Sequence, residues 1–110
     1  MYYVQKKIEI SACHRLDLDY DSKCTRVHGH NWIIVIYCRS EKLDRNGMVI
    51  DFSEIKRLIK EPLDHRILND VLPFNPTAEN LAKWCVERVP YCYKAMVQES
   101  EGNIAWYEED

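Results

Sequence analysis

Apolar and polar residues alternate along the first stretch of the chain, and this pattern predicts a β-strand with one buried face. From Val4 to Ala12 the even positions are apolar except for Lys6, while most of the odd positions are polar. A period of two places successive side chains on opposite faces of a sheet. His14 follows Ala12 by two residues, so it shares the apolar face if the extended conformation persists.

A second strand is predicted over about Asn31–Arg39, where the chain is almost continuously apolar. An unbroken apolar run of this length is typical of a strand that is buried on both faces. We expect helices to cover one face of this strand and a second subunit to cover the other. The segment from Arg15 to Lys23 separates the two strands and is predicted to be a loop, because it mixes acidic and scattered apolar residues.

The end of the chain predicts a β-hairpin. Two short strands, Ala95–Glu99 and Asn103–Tyr107, flank Glu101 and Gly102. Alternation within the first of these strands places Glu99 on the same face as Ala95 and Val97. A carboxylate that closes an apolar face is either a surface residue at a strand end or a placed hydrogen-bond acceptor.

Two helices are predicted between the second strand and the hairpin. The first follows Asp51, a predicted N-cap with Glu54 at the capping-box position, and ends near Pro62. Its predicted buried stripe is Phe52, Ile55, Leu58 and Ile59. The second follows Thr77, also a predicted N-cap, and ends at Pro90. Its predicted buried stripe is Leu81, Trp84, Cys85 and Val89. The order ββααββ predicts one α+β domain over residues 1–110, with both helices on one face of a four-stranded antiparallel sheet.

Composition narrows the classes of partner. A chain of 110 residues has a modest core, so we expect a homo-oligomer. A net charge of −3 without a basic run argues against nucleic acid, and no apolar run is long enough to span a membrane. Residues 1–7 contain no apolar signal-peptide core, so we expect a cytoplasmic protein. Five cysteines without a CxxC spacing indicate free thiols and no disulfide framework.

The candidate chemistry is centred on the start of the second strand. His28 and His30 present both imidazoles on one face of a strand, with Gly29 between them. Such a pair suits Zn²⁺, and a catalytic zinc ion typically takes three protein ligands and leaves one position open. His14 is the natural third ligand, with Cys13 and Cys24 as rivals. Cys24 is alternatively a reactive thiol close to the ion.

Two further features are weak on their own. Asp64 and His65 place an acid beside an imidazole, an arrangement that is usually structural when it occurs alone. Asp51 is better explained as a helix cap than as a catalyst.

Together these features resemble the 6-pyruvoyl-tetrahydropterin synthase family, and most of all its carboxy-forming bacterial branch. The resemblance covers nearly the whole chain and is specific, because six segments occur in the family's order and spacing. The matching segments are Ser11–Leu16, Cys24–His30, Gly47–Phe52, Leu63–Asn69, Asn75–Ala82 and Met96–Glu99. Two features depart from the family. Cys13 stands where relatives usually carry a small non-thiol residue, and we expect it to have a packing role. The chain is also short for the family.

The resemblance implies a tunnelling fold, in which subunits join their sheets into a barrel, commonly as a hexamer with sites at subunit interfaces. It implies zinc bound by His14, His28 and His30. It also implies that Cys24 is the catalytic thiol and that Asp64 and His65 form an acid–base pair. Glu99 would anchor the pterin ring. His65 and Glu99 would then serve the Cys24 of a neighbouring chain.

The implied reaction is a zinc-dependent conversion of 7,8-dihydroneopterin triphosphate to 6-carboxy-5,6,7,8-tetrahydropterin, with release of acetaldehyde and triphosphate, on the route to queuosine. The three-residue gap between Cys24 and His28 favours this carboxy-forming branch over the pyruvoyl-forming synthases, which tend to have a longer gap. A third alternative is a non-catalytic binding module stabilised by zinc. The candidates for triphosphate binding are Arg15, Lys23 and Arg26, and solvated surface charge is an equally good explanation of them.

Overall fold

Four antiparallel strands form one sheet in which neighbours in sequence are neighbours in space. The computed structural model describes all residues, Met1–Asp110. Its strands are β1 (Tyr2–His14), β2 (His28–Ser40), β3 (Cys92–Ser100) and β4 (Asn103–Glu108), in the order β1-β2-β3-β4. The predicted order ββααββ is confirmed. Both β1 and β2 extend further than predicted, so the extended conformation reaches His14 and begins at His28.

The chain between β2 and β3 forms the helical layer. Its two long helices are α1 (Phe52–Leu63) and α3 (Ala78–Arg88), which pack against β1 and against the β3–β4 hairpin. The sequence did not predict α2 (Leu68–Val71), a four-residue helix between them. A short 3₁₀ turn, Lys23–Thr25, interrupts the predicted loop before β2. None of these helices has the length and apolar character needed to cross a membrane.

Side-chain caps fix where the long helices begin. Asp51 accepts a hydrogen bond from the Ser53 amide at 2.8 Å, and Thr77 accepts one from the Asn80 amide at 3.1 Å. Both predicted N-caps are therefore confirmed. The predicted capping box is wrong, because Glu54 pairs with Arg57 within the helix at 2.5 Å. Phe52 was also expected in the buried stripe, but it stands at the first position of α1 and is 49% exposed.

The core lies between the helices and one face of the sheet. Trp32, Ile34 and Ile36 of β2 are fully buried there. On the opposite face Val35 is also buried, between Lys7 of β1 and Met96 of β3 in the register of the sheet. The prediction that β2 is covered by helices on one face is therefore correct. On the other face, Val35 is buried within a single chain by residues of the two neighbouring strands.

Candidate metal centre and active site

Three histidines meet on the helix-covered face, at one end of the sheet. The antiparallel register places His14 opposite His28 and Ala12 opposite His30. The three imidazole rings have centroids 4.5 Å apart for His14 and His28, 4.9 Å for His28 and His30, and 5.2 Å for His14 and His30. The period of two that governs each strand therefore aims all three rings into one space.

Glu99 reaches the same space from β3. Its carboxylate oxygens lie 3.4 Å from the Nε2 atom of His30 and 3.7 Å from the Nε2 atom of His14. One ligand atom from each of the four residues lies within 4.8 Å of the others. We call this set the His–Glu cluster; its members are His14, His28, His30 and Glu99. Ala95 and Val97, which precede Glu99 on its face of β3, are fully buried.

Backbone carbonyls orient two of the rings. Nδ1 of His14 donates to the carbonyl of Pro76 at 2.8 Å, and Nδ1 of His28 donates to the carbonyl of Arg26 at 2.7 Å. These bonds leave the Nε2 lone pairs to face the centre of the cluster. Histidines that bind metals are usually held in this way, with the second ring nitrogen bonded to a carbonyl or carboxylate.

Two nitrogen atoms of the cluster have no partner. Nε2 of His14 and Nε2 of His30 are buried and make no hydrogen bond. A buried polar atom without a hydrogen-bond partner costs roughly 1–3 kcal/mol, so its presence needs an explanation, and a bound ion is one. Imidazole nitrogens grouped with a carboxylate are a donor set that suits a divalent metal such as Zn²⁺. The residues present therefore fit a metal ion.

The electrostatics of the cluster also favour neutral imidazoles. Burial lowers the pKa of His14 and of His30, because an imidazolium loses its hydration there, although the carboxylate of Glu99 acts in the opposite direction. Only a neutral imidazole has a lone pair to offer a metal.

Trp32 forms the floor beneath two of the histidines. Its ring centroid lies 4.8 Å from that of His14 and 5.4 Å from that of His30, in both cases edge to face. Its indole Nε1 donates to the carbonyl of Ala12 at 3.1 Å, and the side chain is fully buried. Trp32 is thus a positioning residue that ties the cluster to the core.

Substitution of Trp32 by phenylalanine should lower the free energy of unfolding by about 2 kcal/mol, through a lost hydrogen bond and a cavity. The control is Tyr91→Phe, an aromatic substitution at a side chain that is 59% exposed; a change within about 0.5 kcal/mol is expected there. Urea denaturation of both variants measures the difference. Equal effects in the two variants would contradict the role assigned to Trp32.

Asp64 and His65 contact each other at the edge of β1 that faces away from β2. The carboxylate of Asp64 accepts from the Ser11 amide at 2.9 Å, and the His65 amide donates to the Ser11 carbonyl at 2.7 Å. Nδ1 of His65 lies 3.1 Å from the Asp64 carboxylate, and the His65 side chain is 82% exposed. His65 also has a positive φ of 59°. The pair is therefore assembled as an acid–imidazole unit, but it lies outside the His–Glu cluster.

The bond from the Ser11 amide holds the pKa of the Asp64 carboxyl below its ordinary value. A depressed carboxyl pKa contributes stability above the unfolded pKa, and this contribution is lost as the pH falls through the folded pKa. Asp64→Asn should therefore cost roughly 1 kcal/mol at neutral pH, with a difference from the parent that shrinks below about pH 4. Thermal unfolding across this range tests the trend. The control is Asp19→Asn, at an exposed position. A stability difference between Asp64→Asn and the parent that stays constant with pH would contradict the predicted linkage.

Neither candidate thiol belongs to the cluster. Cys24 lies in the 3₁₀ turn, where its amide bonds to the hydroxyl of Ser22 at 3.1 Å and its carbonyl accepts from the Leu16 amide at 2.8 Å. Cys13 precedes His14 on β1 and points to the opposite face, where its sulfur packs against Gly29. Within one chain the four-residue cluster thus includes neither rival thiol, and the Cys24 thiol is half-buried in its turn.

Two cavities adjoin these groups. One, of about 470 Å³, is lined by His30 of the cluster and His65 of the acid–imidazole pair. The other, of about 510 Å³, is lined by Glu99 together with Glu79 and Trp106. Sequence reasoning selected neither Glu79 nor Trp106. An acidic residue in the first turn of a helix, such as Glu79, is already explained by the helix dipole, and no pattern in the last strand distinguishes Trp106.

The basic residues near Cys24 differ in their surroundings. Lys23 and Arg26 line a shallow cavity of about 470 Å³ beside the 3₁₀ turn. The guanidinium of Arg15 instead pairs with Asp17 at 2.6 Å. Arg15 is therefore already paired with a carboxylate, and of the three candidate cations Lys23 and Arg26 remain available to bind an anion.

An antiparallel sheet with helices on one face and a largely buried histidine–carboxylate cluster at its end defines a small α+β protein with a candidate metal centre. The sequence profile of the 6-pyruvoyl tetrahydropterin synthase family matches residues 3–110. The chain belongs to this family of enzymes, and the predicted fold class is confirmed.

Similar proteins carry names from both branches of the family. The 6-carboxy-5,6,7,8-tetrahydropterin synthase of Bacillus subtilis is 29% identical over 123 residues, covering 96% of this chain and 84% of that protein. The protein of the same name from Synechocystis is 38% identical over 93 residues, covering 76% of this chain and 71% of its own. The human 6-pyruvoyl tetrahydrobiopterin synthase is 30% identical over 129 residues, covering 94% of this chain and 89% of its own.

The fold is shared with a solved member of the family. The structure of Caenorhabditis elegans 6-pyruvoyl tetrahydropterin synthase matches with a TM-score of 0.78 and 26% identity, covering 99% of this chain and 96% of that chain. The sheet and its helical layer are therefore those of the pyruvoyl-forming synthase as well.

Proposed function

We propose that the protein is a zinc-dependent lyase that converts 7,8-dihydroneopterin triphosphate to 6-carboxy-5,6,7,8-tetrahydropterin, releasing acetaldehyde and triphosphate, in queuosine biosynthesis. The observation that carries this proposal is the His–Glu cluster with its two unpartnered Nε2 atoms, in a chain of this family. The names of the Bacillus subtilis and Synechocystis relatives support the carboxy product.

His14, His28 and His30 would hold the zinc ion. When bound, the ion supplies a Lewis acid that stabilises negative charge on an oxygen of the substrate side chain. The orientation of the rings by the Pro76 and Arg26 carbonyls supports this assignment, because it presets the nitrogen atoms that face the ion.

Proton transfer falls to Cys24 and His65. The thiolate of Cys24 removes a proton from a side-chain carbon, and the imidazole of His65, oriented by Asp64, exchanges the other. The contact of 3.1 Å between Asp64 and Nδ1 of His65 supports the second role, since it leaves Nε2 toward solvent. Positioned acid–base groups typically contribute about 10²- to 10⁴-fold in rate each.

The pterin ring is assigned to the cavity that Glu99 and Glu79 share. A carboxylate accepts two parallel hydrogen bonds from the ring's amino and N–H groups, and this is the role that we assign to Glu99 in the cavity. Lys23 and Arg26 are then the candidates for the triphosphate.

The site is completed between subunits of a homo-oligomer, which we propose to be a hexamer. Two features support association of subunits. The strands β1 and β4 form the two edges of the sheet, and edge strands pair readily with other chains. On β1 this applies to the part before Ser11, because Ser11 and Cys13 already bond to residues 64–66. Ile104 and Trp106 also expose large apolar side chains on the sheet face that no helix covers. Sedimentation equilibrium gives the number of subunits.

Incubation of the zinc-loaded protein with 7,8-dihydroneopterin triphosphate tests the function. Mass spectrometry of the pterin and an enzymatic assay for acetaldehyde should give 6-carboxy-tetrahydropterin and acetaldehyde in equal amounts. A pyruvoyl product without acetaldehyde would assign the chain to the other branch, which the human relative represents. Bound zinc without turnover of either kind would favour a binding module.

A further inference from the structure

Two cysteines that the proposed chemistry does not use face each other across the sheet, far along β2 and β3 from the His–Glu cluster. Cys38 of β2 is the register partner of Cys92 of β3. The register changes at this point: Tyr37 pairs with Lys94, so Tyr93 is an extra residue that forms a bulge. All five cysteines of the chain are free thiols.

The pairing brings the two backbones to a separation that suits a disulfide. Partners in an antiparallel ladder have Cα atoms about 4.5–5.5 Å apart. Disulfide-linked residues usually have Cα atoms about 4.4–6.8 Å apart. The register partnership of Cys38 and Cys92 therefore brings their backbones into the range that a cross-link requires.

The two thiols differ in accessibility and in acidity. Cys38 is fully buried in the core, whereas Cys92 is half-buried at the start of β3. The neighbouring Cys38 thiol lowers the pKa of Cys92, while the Cys92 thiol and burial raise the pKa of Cys38. The Sγ–H of Cys92 donates to the carbonyl of Lys94 at 3.3 Å. Cys92 is therefore the thiol that meets a reagent first, and Cys38 is the thiol placed behind it.

We propose that Cys38 and Cys92 form a reversible disulfide between β2 and β3, which makes the pair a modification site for low-molecular-weight disulfides such as oxidised glutathione. Cys85, which lies on α3 and is fully buried, is not a register partner of either.

The exchange balances in two steps. The thiolate of Cys92 attacks one sulfur of oxidised glutathione, so the glutathione disulfide breaks and one glutathione thiolate leaves. The sulfur of Cys38 then attacks Cys92, expels the second glutathione thiolate and gives its proton to it. Two protein thiols are oxidised to one disulfide, and one glutathione disulfide is reduced to two thiols.

The cross-link would act on the whole helical layer. The chain between Cys38 and Cys92 contains α1, α2 and α3. Closing a long loop removes conformational freedom from the unfolded chain, so the oxidised protein should be the more stable form. The metal ligands are unaffected, because His30 and Glu99 lie near the opposite ends of β2 and β3.

The test is treatment of the zinc-loaded full-length protein with oxidised glutathione, followed by peptide mapping without reduction. We expect a cross-linked peptide pair containing Cys38 and Cys92, and an intact mass lower by two hydrogen atoms. The thermal transition should rise by several degrees and return after dithiothreitol. Cys92→Ser should show neither change, and Cys85→Ala, the matched control, should show both.

Three results would overturn the proposal. One is a stable glutathione adduct on Cys92 while Cys38 stays alkylatable. Another is a cross-link that joins either residue to a different cysteine. The third is a treated protein whose two thiols both remain free. Each is read from the peptide map of the unsubstituted protein, so the result does not depend on whether a variant folds or on which reaction the enzyme catalyses.

Discussion

Replacing His28 by alanine is expected to release the metal and abolish turnover. The side chain is half-buried at the start of β2, so its loss leaves the core intact, while the His–Glu cluster loses one of three imidazoles. Loss of a group that merely orients a ligand typically costs 10- to 100-fold in metal affinity, so loss of a ligand itself should exceed about 100-fold. Metal content after dialysis, measured by plasma mass spectrometry, and the rate of product formation check both expectations.

The matched control for His28→Ala is His65→Asn. It also removes one imidazole, but from the pair at the β1 edge that lies outside the cluster. This variant should keep its metal while turnover falls. Stoichiometric metal in dialysed His28→Ala would show that the cluster is not the metal site.

Replacing Cys24 by alanine is expected to lower turnover by about 10²- to 10⁴-fold and to leave metal and fold in place. Cys24 lies in the 3₁₀ turn and is not among the four residues of the cluster, so its removal leaves all four of them in place. Single-turnover product formation, metal content and circular dichroism together separate loss of chemistry from loss of structure.

Cys13→Ala is the control for the thiol. Cys13 adjoins His14 of the His–Glu cluster in sequence but points to the other face of β1, where it packs against Gly29. Its removal should leave turnover near the parent value. If instead Cys24→Ala loses zinc, the thiol is a ligand of a closed four-coordinate centre, and this result would favour the hypothesis of a non-catalytic binding module.

Side-chain alternation placed the histidines within each strand. In β1 the apolar face is unambiguous, so His14 is placed on it, and in β2 the period of two puts His28 and His30 on one face. That these are the same face of the sheet follows from the pairing of β1 with β2. The same rule put Glu99 on the face of Ala95 and Val97. The proximity of Glu99 to the three histidines was not predictable, because it depends on the register of β3 against β2, which no local pattern specifies.

Features set by tertiary context were missed for similar reasons. The four residues of α2 are too few to show a helical period, so the segment after His65 had no signal. Glu54 met the capping-box pattern, but the nearer Arg57 competes for its carboxylate. The pairing of Cys38 with Cys92 depends on a bulge that adds one residue to β3, and such an insertion leaves no mark in the alternation.

The left-handed backbone of His65 makes stability and activity compete at that position. A non-glycine residue with positive φ costs roughly 1 kcal/mol, and glycine avoids this cost. A library screened only for heat resistance should therefore enrich glycine at position 65 and discard the imidazole to which we assign proton transfer. The same library screened for product should retain histidine, and its survivors should carry their gains elsewhere in the chain.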